Sequence, residues 1–328
     1  MGGTRPPHPA RRLEVAPGLG GPLATAQRSL PGFRQTRGPA IVPPMSETWT
    51  IARVLGWTTS YFADKGLDSP RLDAELLIAD ALKLTRLQVY TRHDQPLHPD
   101  ELTAVRARVQ RRGRREPVAY ITGTRGFWSL ELAVDARVLV PRPETELLVE
   151  LALARLKGLE APRVVDVGTG SGCIALSLAR ERPDAIITAV DASQGALAVA
   201  QKNAQTLDLK VEFRQSNLLS AVPGPLEMVV SNPPYIASAE VDQLMPDVAR
   251  YEPRLALDGG PDGLALIRPL IDQAATRLVP EGWLAFEFGH DQGPAVRDLL
   301  LADGRFGDVI IHRDLAGKDR VATARRLP

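Results

Sequence analysis

Three glycines at alternate positions, Gly168, Gly170 and Gly172, most constrain what this chain can fold into. They follow the apolar run of residues 163–167, Arg-Val-Val-Asp-Val, which reads as a buried strand. They precede residues 173–180, where Ile174, Leu176 and Leu178 supply the apolar positions of a helix. A glycine-rich strand-to-helix turn lets backbone approach a ligand closely at a helix N-terminus. A second apolar run, residues 185–190, ends in Asp191. An acidic residue about 20 positions past such glycines takes both hydroxyls of a ribose. The dinucleotide fingerprint of an oxidoreductase wants glycine at its first, third and sixth positions. Counting from Gly168, the sixth position is Cys173 and the glycines fall at the first, third and fifth, so the spacing speaks against that class. Taken alone, the loop also admits a lesser, purely structural reading, with Ser171 as a turn residue and Asp166 as its anchor.

A second stretch says what the ligand is used for. Residues 226–231, Leu-Glu-Met-Val-Val-Ser, read as another buried strand, and Asn232-Pro233-Pro234-Tyr235 follows at once. Each proline has a fixed φ and no N–H, so the segment is stiff, extended and short of donors. Asn232, before a proline, is pushed out of the helical region. An amide oxygen, proline carbonyls and an aromatic face suit a planar –NH2 group, either an amide or the exocyclic amine of a base.

Strands are expected near 163–167, 186–190, 211–213, 226–231, 282–288, 306–312 and 320–326, with helices between them, for example over 264–279. Such alternation predicts a doubly wound α/β sheet with ligands at the carboxyl ends of its strands. The last two strands are close in sequence and so should pair antiparallel. Residues 45–115 read as a small helical domain. Trp49, Val54, Leu55, Tyr61 and Phe62 recur at helical spacing, Ser69-Pro70 opens a helix, and Leu72, Leu76, Leu77, Ala79 and Leu82 are assigned its apolar face. Residues 116–140 read as a linker, with 127–134 alternating as a hairpin arm. The catalytic domain is assigned to 141–328.

Together, the Asp-Val-Gly-Thr-Gly-Ser-Gly turn and the Asn-Pro-Pro-Tyr turn resemble class I S-adenosylmethionine methyltransferases that modify amino nitrogens. The likeness extends through residues 69–77, 116–123, Phe127-Trp128, residues 141–146 (Pro-Arg-Pro-Glu-Thr-Glu) and 251–257 (Tyr-Glu-Pro-Arg-Leu-Ala-Leu). In that order and spacing they resemble the PrmC/HemK family, from residue 46 or so to the end. The resemblance implies the class I methyltransferase fold, a Rossmann-like doubly wound sheet whose last strand is antiparallel, with a helical domain that grips the substrate. It implies S-adenosyl-L-methionine as cofactor. The implied substrate is the side-chain amide N5 of the glutamine in the Gly-Gly-Gln motif of class 1 peptide chain release factors. Asn232, Pro233, Pro234 and Tyr235 are then the catalytic set. Gly168, Thr169, Gly170, Ser171, Gly172, Asp191, Leu218 and again Asn232 are the cofactor-binding set.

An amide nitrogen is a poor nucleophile because its lone pair is delocalised into the carbonyl. Acceptance of its two N–H groups by the Asn232 oxygen and the Pro233 carbonyl would orient it. Tyr235 is expected to stack on the carboxamide and to lend a cation–π contact of about 0.5–2 kcal/mol to the sulfonium. No general base is required if the proton leaves to water. Asn217 stands where the family tends to carry an acid against adenine, and Leu218 is expected on the adenine ring. Glu144, Glu146 and Glu287 are candidates for the pocket border, against a solvated reading. Trp128 is assigned to core, and His290 is considered as a base and ranked below a surface role.

Composition decides among partners. Residues 1–44 hold nine prolines, seven glycines and six arginines against one acidic residue, and read as a disordered extension. The blandest account is a start placed upstream of Met45. That segment carries +5 of a whole-chain +1, which leaves residues 45–328 at −4. A duplex-DNA enzyme needs a basic face, so adenine N6 methylation of DNA or RNA is kept as the alternative and duplex DNA is not expected. The local exception is a helix predicted over 99–115, with Arg106, Arg108, Arg111, Arg112, Arg114 and Arg115, read as a solvated face or a contact for an acidic partner or RNA. One cysteine permits no intrachain disulfide and fits a reducing compartment. No apolar stretch approaches the roughly 20 residues of a membrane helix, and no Cys/His cluster has metal-ligand spacing. A monomer in the cytoplasm is the expectation. A non-catalytic, cofactor-binding partner of the ribosome is disfavoured by the intact turns.

Overall fold

The computed structural model describes residues 48–328, so the expectations for residues 1–44 and Met45 lie outside the described residues. Helices α1 (Ile51–Asp64), α2 (Pro70–Leu82), α3 (Arg86–Thr91), α4 (Pro99–Gly113) and α5 (Val118–Thr122) come first. Thr50 caps α1 by accepting from Arg53 N, and a reciprocal Thr85–Gln88 pair caps α3. Their apolar faces close on one core that includes Ile51, Phe62, Leu77 and Ile78. In α2 the buried face differs from expectation. Leu72 is exposed, whereas Asp73 and Glu75 are buried beside Ala74, Leu77 and Ile78. The acids are tolerated there because arginines meet them: Arg112 meets Asp73, and Arg71 and Arg86 meet Glu75.

A hairpin follows, β1 (Thr124–Phe127) and β2 (Leu130–Ala133), joined by a turn at Trp128 and Ser129. The single arm expected over 127–134 is broken there. Trp128 adopts a left-handed φ of 55°, and its N–H donates to the Glu146 carboxylate at 2.7 Å. After α6 (Glu146–Arg155) the catalytic sheet is laid down. It comprises β3 (Arg163–Val167), α7 (Cys173–Glu181), β4 (Ile186–Asp191), α8 (Gln194–Leu207), β5 (Glu212–Gln215), β6 (Leu226–Ser231), α9 (Ser238–Val241), α10 (Pro246–Ala249), α11 (Ile267–Arg277), β7 (Leu278–Glu287), α12 (Gly293–Asp303), β8 (Phe306–Arg313) and β9 (Asp319–Arg326). The strand order is β5-β4-β3-β6-β7-β9-β8, and β9 runs antiparallel to both its neighbours. This is the expected Rossmann-like, doubly wound sheet with an antiparallel last strand. The α11 pattern stops short of Val279 because Leu278 pairs with Leu226 and opens β7.

Strand periodicity sorts the core into two faces. Val165, Val167 and Val229 join one cluster with Leu270, Phe286 and Phe288, while Val164, Met228 and Val230 join another with Leu148, Leu176 and Leu178. Both faces of β3 and β6 are therefore covered, which is why these strands read as unbroken apolar runs.

The arginine run of α4 faces inward at its key member. Arg112, buried, donates from Nε to Asp73 at 2.7 Å and from Nη1 to Asp247 at 2.6 Å, tying α2 and α4 to α10 beyond β6. Burial pulls the guanidinium down, but the two carboxylates outweigh it and hold the Arg112 pKa above its ordinary value. Burial raises Asp73 more than Arg112 lowers it. Tyr251 adds a hydroxyl bond to the Arg114 carbonyl at 2.8 Å. Removing Arg112 would leave buried Asp73 without a cation and Asp247 with only Arg115, at 3.7 Å. Arg112→Ala is expected to cost about 3–5 kcal/mol in urea unfolding, against within about 0.5 kcal/mol for exposed Arg106→Ala. Equal costs for the two would show that the triad holds nothing together.

Candidate active site

The strand order reverses between β3 and β6, the place where open α/β sheets bind ligands beyond their carboxyl ends. Val167 pairs with Ser231 at the two strand ends, and the Ser231 hydroxyl donates to the Val167 carbonyl at 2.8 Å. Gly168 and Asn232 are thereby neighbours. They line a cleft of about 220 Å³ that also takes in Asp191, Leu218 and Arg142.

On one wall, Gly168, Gly170 and Gly172 all have φ between 56° and 85°, a region costly for other residues. A Cβ on Gly170 would meet nothing within 4 Å, and one on Gly168 only the Asn232 carbonyl oxygen at 3.9 Å, so bare backbone faces open space. Gly170 N donates to Asp191 Oδ2 at 2.9 Å and Ser193 N to Oδ1 at 2.8 Å. Each Asp191 oxygen keeps acceptor capacity. Beneath the loop, Asp166 is fully buried and accepts from Thr169 Oγ1 at 2.7 Å and Ala175 N at 3.2 Å, while its Oδ1 has no partner. Burial pushes the Asp166 pKa up to about 7. Thr169, Ser171 and Cys173 also line the cleft. Burial raises the Cys173 thiol to about 12, so it stays neutral. Gly172 does not line the cleft. Its Cβ would stand 3.0 Å from Leu176 and 3.2 Å from Ala200, so its bareness lets α7 close on α8.

On the opposite wall stand Asn232, Pro233 and Pro234. Asn232 Nδ2 donates to Thr145 Oγ1 at 3.1 Å, the Thr145 hydroxyl donates to Glu287 Oε2 at 2.7 Å, and Tyr235 Oη donates to Glu287 Oε1 at 2.9 Å. Tyr235 does not line the cleft. Its ring packs against the sheet core and its hydroxyl points at Glu287. Burial, with Glu287 beside it, raises the Tyr235 pKa. The turn is held from below by Gly263, where a Cβ would fall 2.3 Å from the Tyr235 carbonyl oxygen. Leu218 lines the cleft from a left-handed φ of 50°, which turns Leu219 into the core, and Asn217 lies beside it.

Thr145 and Arg142 line the cleft although neither stood among the expected site residues. Arg142 pairs with buried Glu252 at 2.6 Å. Both cleft residues fall inside the Pro-Arg-Pro-Glu-Thr-Glu stretch, which was the available signal. Of the border acids, Glu144 is exposed, Glu146 binds the Trp128 N–H, and Glu287 is buried rather than solvated. Exposed His290 is not part of the cleft, and Trp128 is half-buried with its indole N–H on Glu181 at 2.8 Å.

Residues 53–123 match the family described as the PrmC N-terminal domain, and residues 143–250 the methyltransferase small domain. A release factor glutamine methyltransferase of Geobacter sulfurreducens is 43% identical over 280 residues, spanning 85% of this chain and 98% of the relative. Its namesake in Chlorobaculum tepidum is 43% identical, over 84% of this chain and 97% of the relative. That of Rhodospirillum rubrum is 45% identical, over 80% of each. The chain belongs to the release factor glutamine methyltransferase family. The fold is accordingly that of the class I S-adenosylmethionine-dependent methyltransferases, and the cofactor is S-adenosylmethionine. The bare glycine turn and the two-sided Asp191 carboxylate fit that cofactor, since they offer open backbone and acceptors for hydroxyls. Among the described residues no helix is long and apolar enough to cross a membrane, and no group of three or more His, Cys, Asp or Glu is placed to hold a metal.

The methyltransferase loop carries a pH signature. The Asp166 pKa, about 7 when folded, lies above the 3.8 of an ordinary aspartate, so the neutral form favours folding. That contribution is complete below pH 3.8 and is lost as pH rises through about 7. Asp166→Asn keeps an acceptor for Thr169 and cannot ionise. Its melting temperature relative to wild type should therefore climb by several degrees between mildly acidic and mildly alkaline buffer, as read by calorimetry. A difference that does not change with pH would show that Asp166 is not held neutral.

Proposed function

We propose that the chain transfers the methyl group of S-adenosylmethionine to the side-chain amide N5 of the glutamine in the Gly-Gly-Gln motif of class 1 peptide chain release factors, as a cytoplasmic monomer. The observation that carries the substrate reading is the state of Asn232. Its nitrogen is engaged by Thr145, and among the described residues its Oδ1 has no partner, on the cleft wall opposite the glycine turn.

When bound, S-adenosylmethionine supplies an activated methyl group on a positively charged sulfur. The backbone of Gly168, Thr169, Gly170 and Ser171 would hold it, Asp191 would accept its ribose hydroxyls, and Leu218 would flank its adenine. Asn232 Oδ1 and the Pro233 carbonyl accept the two N–H groups of the glutamine amide and so aim the nitrogen lone pair. Pro233 and Pro234 contribute no N–H that would compete for those acceptors. Fixing the nitrogen in a near-attack geometry is worth several kcal/mol. Tyr235 serves from behind the turn, through Glu287, and the proton shed by nitrogen leaves to water.

The nucleic-acid alternative loses its basic stretch. Arg108 pairs with Asp80, Arg111 with Glu116, Arg112 with Asp73 and Asp247, and Arg115 donates to the Lys65 and Gly66 carbonyls. Those four side chains are committed within the chain rather than offered to phosphates.

Labelled methyl transfer should appear on a class 1 release factor and map to one glutamine. It should vanish with a Gly-Gly-Gln→Gly-Gly-Ala substrate, fall at least about 100-fold with Asn232→Ala, and be absent on adenine-containing DNA. Transfer to the DNA with none to the release factor would overturn the assignment. Separately, Asp191→Ala should raise the Kd for S-adenosylmethionine about 100-fold by calorimetry. An unchanged Kd would remove Asp191 from the cofactor site.

A further inference from the structure

We propose that Glu287 and Thr145 are positioning residues that set which end of the Asn232 amide faces the cleft, so that the incoming –NH2 meets an oxygen and not an N–H. The proposal rests on the reading of Asn232 given above. The two ends of an asparagine amide have the same shape, so packing cannot choose between them; hydrogen bonds must. A threonine hydroxyl has one hydrogen to give. Glu287 Oε2, at 2.7 Å, takes that hydrogen, which leaves Thr145 with only lone pairs toward Asn232 at 3.1 Å. A lone pair selects Nδ2, and Oδ1 is turned the other way. Tyr235 Oη fills the second Glu287 oxygen at 2.9 Å, so the carboxylate has a donor on each side and lies 1% exposed behind the cleft wall.

The arrangement depends on the charge of Glu287. The groups that face it are the Thr145 and Tyr235 hydroxyls, Arg320 on β9, exposed Glu144 beside Thr145, and the neutral Cys173 thiol at the start of α7. Burial, with Glu144 adding to it, raises the Glu287 pKa above the ordinary glutamate value, while the two hydroxyls and Arg320 favour the carboxylate. Once protonated, Glu287 can give its own hydrogen to Thr145. The threonine hydrogen is then released toward Asn232, the amide turns to present Oδ1 to it, and Nδ2 confronts the substrate with a donor.

The test uses the full chain, a class 1 release factor and labelled S-adenosylmethionine, with kcat and KM followed into the acid range. Thr145→Val should lower kcat about 100-fold while both KM values and the calorimetric Kd for S-adenosylmethionine stay within about twofold, and Thr145→Ser should restore most of the rate. The wild-type acid limb of kcat should persist in Thr145→Ser and disappear in Thr145→Val and Glu287→Gln. A Thr145→Val enzyme with wild-type kcat, or an acid limb that survives Glu287→Gln, overturns the proposal. Asn232→Ala separates the two readings. If it is inactive while Thr145→Val is fully active, only the positioning role fails; if it is itself fully active, the substrate reading fails and the positioning role with it.

Discussion

The site depends on the parallel pairing of β3 with β6. Strand order reverses across that pair, so the turns that leave the two strands diverge and open a crevice between them. The register places Val167 opposite Ser231, and the serine hydroxyl closes the pair at its carboxyl end. A slip of one residue would exchange Val165 and Val167 with Val164 and Asp166 between the two cores. Such an exchange would put a carboxylate among Leu270, Phe286 and Phe288. Core packing on both faces therefore fixes the spacing between the glycine turn and Asn232, and the chemistry inherits its precision from the hydrophobic sorting beneath it.

Three of the buried carboxylates are managed in three different ways. Asp73 shares the Arg112 guanidinium with Asp247, and this joins α2 and α4 to α10. Asp166 has no cation and titrates near neutrality, held by one hydroxyl and one helical N–H. Glu287 receives two hydroxyls and stands behind the Asn-Pro-Pro-Tyr turn. The first is an assembly device. The other two sit one layer behind the cleft wall, where a buried charge costs stability unless it organises something. Asp166 organises the glycine turn and Glu287 the amide opposite it.

The legible parts of the chain were those whose causes are local. Glycines that need positive φ, prolines that stiffen Asn232 and an acid at the end of the next strand each announce themselves within a few residues. Alternating apolar runs then gave six strands close to their observed bounds. Errors arose where distant partners override the local pattern. Trp128 turns left-handed because the Glu146 carboxylate holds its N–H, and Leu278 leaves its helical pattern to pair with Leu226. The Thr145–Glu287 link goes unread for the same reason: the two are 142 residues apart, so Glu287 reads only as a candidate border acid, and Thr145 lies 87 residues from Asn232.

By itself, then, the sequence determined the doubly wound sheet, its glycine turn and the acceptor-rich turn across from it, because backbone sterics and strand periodicity act over short stretches. Only the tertiary structure decided that Tyr235 looks away from the cleft, that Gly172 packs instead of lining it, and that most of the α4 arginines are already paired. A side chain's aim depends on which groups arrive from elsewhere in the chain, and burial makes each unpaired polar atom costly enough to enforce the choice.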